Sequence, residues 1–229
     1  MLVEFNDMVK AHNIDIKGII HVGAHEGQET QSYVRNGIKD VVLIEANPFR
    51  FSNLTESIQT GRYVTWCSPL TYAKFDKSEA EILKGYKLHN YAITDKEGTI
   101  KFNLSNFDGG TDSVFKINDW GRDSSWAPYE HTSDIEVPTI TLDKLIKNKA
   151  DYNFLNMDVE GAELLVLKGS KKLLETIDYI LLESQDVIRF DDSCTRPQLV
   201  EYLKDFGFEL KEYYDTGKQW GDCLFIKVK

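Results

Sequence analysis

Four carboxylates in the second half of the chain have the types and spacing to do chemistry. They are Asp158, Glu160, Glu163 and Glu183, and they follow two short apolar segments at 152–157 and 179–182. A carboxylate at a strand end can accept a proton from a hydroxyl group or bind a hard divalent cation. Asp158 is therefore the first candidate for a general base or a metal ligand, and Glu160, Glu163 and Glu183 are candidates to complete a metal site. The first turn of a helix also favours acidic residues, which is the alternative for Glu160 and Glu163.

A glycine turn near the N-terminus is a second candidate site. The apolar segment Ile19–Val22 stops at Gly23, and a second glycine, Gly27, precedes a predicted helix. At the carboxyl end of a strand in an open α/β sheet, such a turn exposes backbone N–H groups to a ligand. The pattern predicts a cofactor-binding loop, and a plain strand-to-helix connection is the alternative.

Glu45, at the end of the next apolar segment, narrows the choice of cofactor. It follows Gly23 by about 20 residues, and a carboxylate there can accept hydrogen bonds from both hydroxyls of a ribose. A dinucleotide would also need Gly-x-Gly-x-x-Gly, whereas the turn Gly23-Ala-His-Glu-Gly27 lacks that spacing and places Glu26 near any diphosphate. S-adenosylmethionine fits better because it carries a ribose without phosphate and a cationic sulfonium. A surface acid that precedes a helix is the alternative for Glu45.

The segment 105–134 has no strong periodicity and is predicted to be a substrate loop or lid. Aromatic side chains can stack on the apolar face of a sugar ring while polar neighbours form hydrogen bonds. The predicted acceptor contacts are Asp112, Ser113, Trp120, Trp126 and Tyr129. A small core within the loop would use the same aromatics. His131 and His89 are alternative bases because histidine titrates near neutral pH, although each lacks a visible partner and a structural role is favoured.

Length and composition favour one globular domain over residues 1–229. Hydrophobic residues make up 41% and charged residues 28% of the chain, as in ordinary soluble enzymes. The net charge of -10 disfavours a nucleic-acid partner because an acidic surface repels phosphates. Widely spaced cysteines, an N-terminus unlike a signal peptide and the lack of a long apolar run predict a cytoplasmic protein without a membrane span. The oligomeric state is not predicted.

The elements that position the candidate residues follow from the apolar segments. Ile19–Val22 and Val41–Ile44 are predicted strands joined by a helix over 28–36. Asn47 followed by Pro48 is typical of the start of another helix. Two strands with a helix between them predict a parallel sheet with a right-handed crossover.

The rest of the chain continues this alternation. The other predicted elements are an insertion at 62–86 with a helix capped by Asp76, strands at 88–93, 99–104, 136–141, 152–157 and 179–182, helices at 142–147, 163–174 and 197–206, and an antiparallel hairpin of 208–214 with 223–228. Because Gly23, Glu45 and Asp158 each follow a predicted strand, we expect them to lie along one edge of the sheet.

Five sequence blocks carry a family resemblance. The blocks are His21–Glu29, Ile44–Pro48, Asn90–Gly98, Asn153–Gly169 and Trp220–Ile226. In type and order they resemble FkbM-type methyltransferases over most of residues 17–228, and Asp-Val-Glu-Gly-Ala-Glu at 158–163 is the most specific block. The resemblance implies an α/β, Rossmann-like class I methyltransferase fold. Such a fold has a mostly parallel seven-stranded sheet, helices on both faces and a C-terminal antiparallel hairpin.

The resemblance also implies S-adenosylmethionine as the cofactor and assigns its contacts by position. The implied contacts are His21, Gly23, Ala24, His25, Gly27, Glu45, Ala46, Asn47, Tyr91, Ala92 and Asp158. The glycine turn would shape the methionine end of the site, Glu45 would bind the ribose, and Tyr91 with Ala92 would border the adenine. The common family pattern has aspartate in place of His21 and asparagine in place of His25, so the chain departs from the family at these two positions.

The expected function is S-adenosylmethionine-dependent O-methylation of a small polar acceptor, above all a sugar hydroxyl in a glycan or glycoconjugate. Asp158, Glu160 and His131 are the candidate catalytic residues, and a divalent metal is left open as an addition. The alternatives are a methyltransferase of a secondary metabolite and a non-catalytic glycan- or protein-binding module with this fold. The complete set of strand-end motifs disfavours the binding module, and the glycine spacing disfavours an NAD-dependent oxidoreductase.

Overall fold

The computed structural model describes residues 3–65, 71–119 and 129–228. Its strands are β1 (Ile19–Val22), β2 (Val41–Ile44), β3 (Arg62–Thr65), β4 (Thr71–Lys74), β5 (Lys87–His89), β6 (Ala92–Ile93), β7 (Gly98–Ser105), β8 (His131–Ile140), β9 (Phe154–Met157), β10 (Tyr179–Gln185), β11 (Phe208–Asp215) and β12 (Trp220–Lys227). Its helices are α1 (Phe5–Ala11), α2 (Thr30–Arg35), α3 (Pro48–Thr60), α4 (Lys77–Leu83), α5 (Leu142–Leu145), α6 (Glu163–Lys168) and α7 (Arg196–Lys204). Two short 3-10 helices lie at Lys149–Asp151 and Leu173–Glu175.

A seven-stranded sheet in the order β11-β12-β10-β9-β1-β2-β5 forms the centre of the molecule. The strands from β10 to β5 run parallel, and β11 and β12 form an antiparallel hairpin at the other edge. The predicted Rossmann-like sheet and its C-terminal hairpin are therefore confirmed. No described helix combines the length and apolar character needed to cross a membrane.

The three central strands end at the same level of the sheet. All four residues of β1 are buried, as expected for a parallel strand covered on both faces. Val22 at its end pairs with Ile44 of β2 on one side and with Met157 of β9 on the other. Gly23, Glu45 and Asp158 follow these three residues directly, so the register alone brings them to one edge.

Helices cover both faces of the sheet and bury two separate clusters of apolar side chains. One cluster packs α1 to α4 against the sheet through residues such as Phe5, Tyr33 and Leu54. The other packs α5 to α7 against the opposite face through residues such as Val166 and Leu203. This arrangement confirms the predicted helices on both faces.

Local capping fixes the helix that follows β2. The side chain of Asn47 accepts hydrogen bonds from the N–H groups of Phe49 and Arg50, Pro48 occupies the first turn, and Gly61 ends the helix in the left-handed region at φ 63°. These are the start and stop signals that the sequence contains. A capping box at Asp76 likewise starts α4 as predicted.

The predicted strand at 88–93 is wrong, because the chain leaves the main sheet in its middle. β5 ends at His89 beside β2, whereas β6 pairs with β8 in a second sheet of order β6-β8-β7. Between them, the amide of Asn90 donates to the carbonyl oxygens of Glu45 and Ala46 at 2.7 and 3.1 Å. These bonds turn the backbone away from β2 and leave Tyr91 at the point where the two sheets diverge.

Several predicted boundaries also need correction. β8 begins at His131, inside the predicted loop, because it pairs with β7 as far back as Ser105. The helix after Asp158 ends at Lys168 rather than near residue 174, and β10 continues to Gln185 through its pairing with β12. Residues 62–86 form the β3–β4 hairpin and α4, and the predicted turn at Ser68-Pro69 lies outside the described residues.

Candidate active site

A cleft opens at the carboxyl ends of β1, β2 and β9. Its lining includes Gly23, His25, Glu45, Ala46, Tyr91 and Ala92 from the predicted cofactor contacts. Asp158 and Glu160 also line it. The strand ends that the sequence pattern singled out therefore surround a common space, as the rule for open α/β sheets requires.

The glycine turn presses directly against the end of β9. Gly23 has φ 83°, and a Cβ atom there would lie 1.8 Å from the carbonyl oxygen of Asp158. The N–H groups of Gly23 and Ala24 both donate to the carbonyl of Ile44, at 2.9 and 3.0 Å. Any side chain at position 23 would therefore separate the turn from Asp158.

Glu45 is held by backbone donors on both of its carboxylate oxygens. Oε1 accepts from the N–H of Asn47 at 2.7 Å, and Oε2 accepts from the N–H of His25 at 2.8 Å. The residue is 7% exposed; burial raises the pKa of its carboxyl, while these N–H groups oppose that shift. A carboxylate oxygen can accept two hydrogen bonds, so each oxygen keeps one acceptor site for a ligand.

The loop after β7 closes over the glycine turn. The ring Nε2 of His25 lies 2.8 Å from the carbonyl oxygen of Asp108, and the amide of Asn47 donates to Asp112 at 2.6 Å. This loop adds Gly109 and Gly110 to the cleft lining. Part of the segment predicted to bind the acceptor thus covers the end of the cleft where the predicted cofactor residues lie.

Asp112 and Ser113, two predicted acceptor contacts, have partners within the protein. Besides Asn47, Asp112 accepts from the N–H of Ser105 at 2.7 Å. The hydroxyl of Ser113 donates to the carbonyl of Glu160 at 2.8 Å. Both side chains therefore anchor the loop. Tyr129 lies against the ring of Phe107, with centroids 4.8 Å apart, and Trp120 and Trp126 lie outside the described residues.

His21 lies beneath the turn rather than in the cleft, which corrects its assignment as a cofactor contact. Its ring is 1% exposed, and Nδ1 lies 3.2 Å from the hydroxyl of Tyr33. That hydroxyl accepts from the amide of Asn156 at 2.6 Å, so its own proton is directed at His21. Burial lowers the pKa of His21, and the ring belongs to a buried neutral network that supports β1.

Three other predicted contacts also support the turn from behind. Ala24, Gly27 and Asn47 are absent from the lining of the cleft among the described residues. A Cβ atom at Gly27 would lie 2.8 Å from the side chain of Leu54. Glycine at this position therefore allows α3 to pack against the turn.

Asp158, Glu160 and Glu183 form a cluster of carboxylates where β9 ends and β10 continues beyond it. One oxygen from each lies within 4.8 Å of the others. Burial raises the pKa of Glu160 and of Glu183 well above the usual value, and repulsion from neighbouring carboxylates raises it further. Glu160 has φ 51° and precedes α6, so the helix-dipole explanation of its position is wrong.

Glu163 does not belong to this carboxylate cluster and instead supports the backbone. It is 3% exposed at the start of α6, and its Oε1 accepts from the N–H groups of Val159 and Gly161, each at 3.3 Å. Burial raises the pKa of its carboxyl to about 7. The side chain holds the turn between Asp158 and α6.

The two histidines proposed as bases are both outside the cleft lining in the described part of the chain. Nδ1 of His131 accepts from the N–H of Ile117 and Nε2 contacts the carbonyl of Thr111, both at 3.2 Å. His89 is half-buried at the end of β5, and burial lowers the pKa of both rings. With both nitrogens of His131 engaged, its imidazole holds the loop to β8.

Sequence reasoning missed several residues of the cleft. Gln28 and Glu29 line it directly after Gly27, and Phe102 of β7 contributes an apolar wall. The first two lie in the same sequence block as the glycine turn, which was the available signal. Phe102 had no such signal, because it reaches the cleft only through the second sheet.

The sequence model of the "Methyltransferase FkbM domain" matches residues 21–210. The chain belongs to the FkbM methyltransferase family. It is an S-adenosylmethionine-dependent methyltransferase with the class I fold that its sequence blocks implied. No curated protein sequence matches significantly.

Solved structures similar to this FkbM-family chain share its fold at low sequence identity. An uncharacterized protein from Listeria monocytogenes serotype 4b has a TM-score of 0.53 at 9% identity, covering 100% of this chain and 69% of that one. Streptococcus pneumoniae Sp1610, named "a putative tRNA (m1A22) methyltransferase" and solved with S-adenosyl-L-methionine, has a TM-score of 0.51 at 12% identity. That match covers 100% of this chain and 75% of Sp1610. These similarities establish the fold alone.

The chemistry of the cleft of this FkbM-family protein fits S-adenosylmethionine. Glu45 keeps two acceptor sites, which matches the two hydroxyls of a ribose. Glu29 and Asp158 add negative charge to the lining, which suits the cationic sulfonium and amino groups of the cofactor. The same charges would repel a diphosphate.

Proposed function

We propose that this methyltransferase methylates a hydroxyl group of a small polar acceptor, above all a sugar in a glycan or glycoconjugate. The observation that carries the proposal is the shared cleft of Glu45 and Asp158. Glu45 has the hydrogen-bonding capacity for a ribose, and Asp158 follows β9 on the other side of β1 with a carboxylate that can accept a proton. The cofactor supplies an electrophilic methyl group on a sulfonium.

The proposed cofactor contacts follow the lining of the cleft. Glu45 accepts hydrogen bonds from the ribose hydroxyls, and Tyr91 and Ala92 border the adenine where the two sheets diverge. Gly23 and His25 shape the methionine end. Together these residues hold the cofactor in one orientation, which is the main requirement for an in-line displacement.

Asp158 is the proposed group that accepts the proton of the acceptor. A sugar hydroxyl is a weak nucleophile at neutral pH and needs a base or a cation to assist its deprotonation. Asp158 lies at the end of β9 in the middle of the sheet, where its position is fixed by the N–H···O bond from its own backbone to Val22 at 3.0 Å. Glu160 lies beside it as the second candidate.

The charge of the protein favours a sugar over a nucleic acid. Sp1610 bears a tRNA methyltransferase name, but the present chain has a net charge of -10 and three carboxylates at the proposed transfer site. A phosphate backbone approaching that site would meet repulsion. Neutral hydroxyl groups would instead meet hydrogen-bond acceptors.

Mass spectrometry with isotopically labelled S-adenosylmethionine tests this proposal. Candidate glycans, free sugars, secondary metabolites and RNA are each incubated with the protein and scanned for a labelled methyl group. We expect label on a sugar oxygen, and no label when Asp158→Asn replaces the wild type. Label on RNA alone or on a non-sugar metabolite would overturn the glycan assignment, and cofactor binding without label on any acceptor would favour a binding module.

A further inference from the structure

We propose that Asp158, Glu160 and Glu183 together bind one divalent cation of the hard, oxygen-preferring class. Their ligand oxygens lie within 4.8 Å of one another. Oxygens on opposite sides of an ion are separated by twice the metal–oxygen distance, which is about 4.2 Å for Mg²⁺ and about 4.8 Å for Ca²⁺. The cluster therefore accepts such an ion with little or no movement of its side chains.

Rigid elements set the spacing of these carboxylates. In the parallel pair of β9 and β10, Met157 pairs with Leu182, so Asp158 and Glu183 follow at the same level. The turn that carries Glu160 is fixed by the bond from the hydroxyl of Ser113 to the carbonyl of Glu160. A site built on strands and an anchored turn holds its ligands more accurately than one on a free loop.

The surroundings of Glu183 are the independent observation that indicates a cation. This side chain is 8% exposed and has no hydrogen-bond or ion-pair partner among the residues that the structure describes. Its described charged neighbours include Glu160, Asp158 and Asp222, all negative. Burying a charged carboxylate is unfavourable unless it is paired, hydrogen-bonded or bound to a metal.

Other buried carboxylates of the protein have hydrogen-bond donors, so burial alone does not explain why Glu183 has no described partner. Glu45 and Glu163 are also buried, and each accepts two backbone N–H groups. Arg189 is the described cation whose charge acts on Glu160. A divalent ion would give Glu183 a partner and would bind Asp158 and Glu160 at the same time.

An ion at this place would have a direct role in the proposed reaction. Asp158 and Glu160 line the cleft beside the proposed cofactor residues, so the ion would lie near the acceptor oxygen. A bound divalent cation lowers the pKa of an oxygen that it contacts and orients it. This role rests on the proposed methyl transfer, whereas binding of the ion does not.

Titration of the full chain with Mn²⁺, followed by the loss of the free-ion signal in electron paramagnetic resonance, tests the site directly. We expect one ion per chain in the wild type. Glu183→Gln and Glu160→Gln each remove one ligand charge and are expected to weaken binding about tenfold or more. Glu175→Gln removes one charge at an exposed position and serves as the matched control with unchanged affinity.

The outcomes separate this proposal from the proposed function. Absence of Mn²⁺ binding by the wild type at millimolar concentration, or equal binding by wild type and both variants, would overturn the site. Full methyl transfer after chelation would overturn its catalytic role and leave the methyltransferase assignment intact. Site-dependent Mn²⁺ binding without methyl transfer to any sugar would support the site and overturn the acceptor. Thermal melting of each variant verifies that a lost site is not lost folding.

Discussion

Glu45 directly follows β2, and Glu183 lies in β10 just beyond its pairing with β9, yet these two glutamates of the same sheet have opposite surroundings. They are 7% and 8% exposed, so burial is equal. Glu45 accepts a backbone N–H on each oxygen, whereas Glu183 is surrounded by other carboxylates. The two glutamates therefore differ in their hydrogen-bonding and charged neighbours, and not in their burial.

This difference separates two kinds of ligand. The oxygens of Glu45 are already oriented and keep one acceptor position each, which suits neutral hydroxyl donors. The oxygens of Glu183 have no described donor, which suits a proton or a positive charge. The cleft thus has one end at Glu45 that suits hydrogen bonding, and its other end, at Asp158 and Glu160, adjoins Glu183 and suits proton or cation chemistry. The following predictions test that division.

The largest effect is expected at the acidic end. Asp158→Asn removes the proposed proton acceptor with little change of shape, and we expect kcat to fall by about 10²- to 10⁴-fold. Cofactor affinity should change far less, as measured by calorimetric titration. Asp95→Asn, at an exposed turn, is the matched control. Unchanged turnover in Asp158→Asn would move the proton acceptor to another group.

The next largest effect is expected at the hydrogen-bonding end. Glu45→Ala removes two hydrogen bonds to a charged acceptor, each worth about 1.5–3 kcal/mol, so cofactor affinity should fall by about 100-fold or more. Calorimetric titration measures it, with Glu56→Ala on the exposed face of α3 as the control. If Glu45→Ala bound the cofactor like the wild type, Glu45 would not be the ribose ligand.

Glu163 sharpens the comparison because it is buried near the acidic end but accepts backbone N–H groups. Burial raises its pKa from 4.5 to about 7 in the folded protein, so the folded state holds this proton more tightly than the unfolded state. The stabilisation is complete below about pH 4.5 and is lost as the pH rises through 7. Its magnitude is about 3 kcal/mol at most.

Urea unfolding of the wild type and Glu163→Gln between pH 4.5 and 8 measures this contribution. The variant keeps an oxygen acceptor for Val159 and Gly161 but cannot titrate. We expect the wild type to lose stability as the pH rises, whereas the variant does not. The free energy of unfolding of the variant minus that of the wild type should therefore increase with pH through this range. A constant difference across it would show that Glu163 keeps its usual pKa.

The smallest effect is expected from the loop that covers the hydrogen-bonding end. Asn47→Ser keeps a side-chain oxygen to cap α3 but loses the amide that donates to Asp112. We expect cofactor affinity to fall by about 1 kcal/mol, or roughly fivefold. Thermal melting should show little change, because the cap remains. A large loss of stability would mean that the Asp112 bond supports the fold rather than the cleft.

Both ends of the cleft were predictable because their strands have unambiguous patterns. The segments 19–22, 41–44 and 154–157 are short apolar runs followed at once by glycine or an acid. Asn47 and Pro48 marked the next helix by local capping chemistry alone. Strand ends therefore located Gly23, Glu45 and Asp158 without any knowledge of the long-range pairing.

Other features could not be predicted, for identifiable physical reasons. β1 is buried on both faces, so its sequence does not reveal that His21 points away from the cleft toward Tyr33. The first residues of β8 are mostly exposed and polar, so they lack the alternation that reveals a strand. Asp112 belongs to an irregular loop, where only the folded structure shows that its partner is Asn47.

The pairing of β1 with β9 has a consequence for the order of folding. More than half of the chain separates Val22 from Met157, yet these residues are neighbours in the sheet. Contacts this distant in sequence form late because the intervening chain must first lose entropy. The cleft therefore cannot exist in a partly folded N-terminal fragment, and cofactor binding stabilises only the completed sheet. A bound cofactor should accordingly slow unfolding without accelerating the early steps of folding.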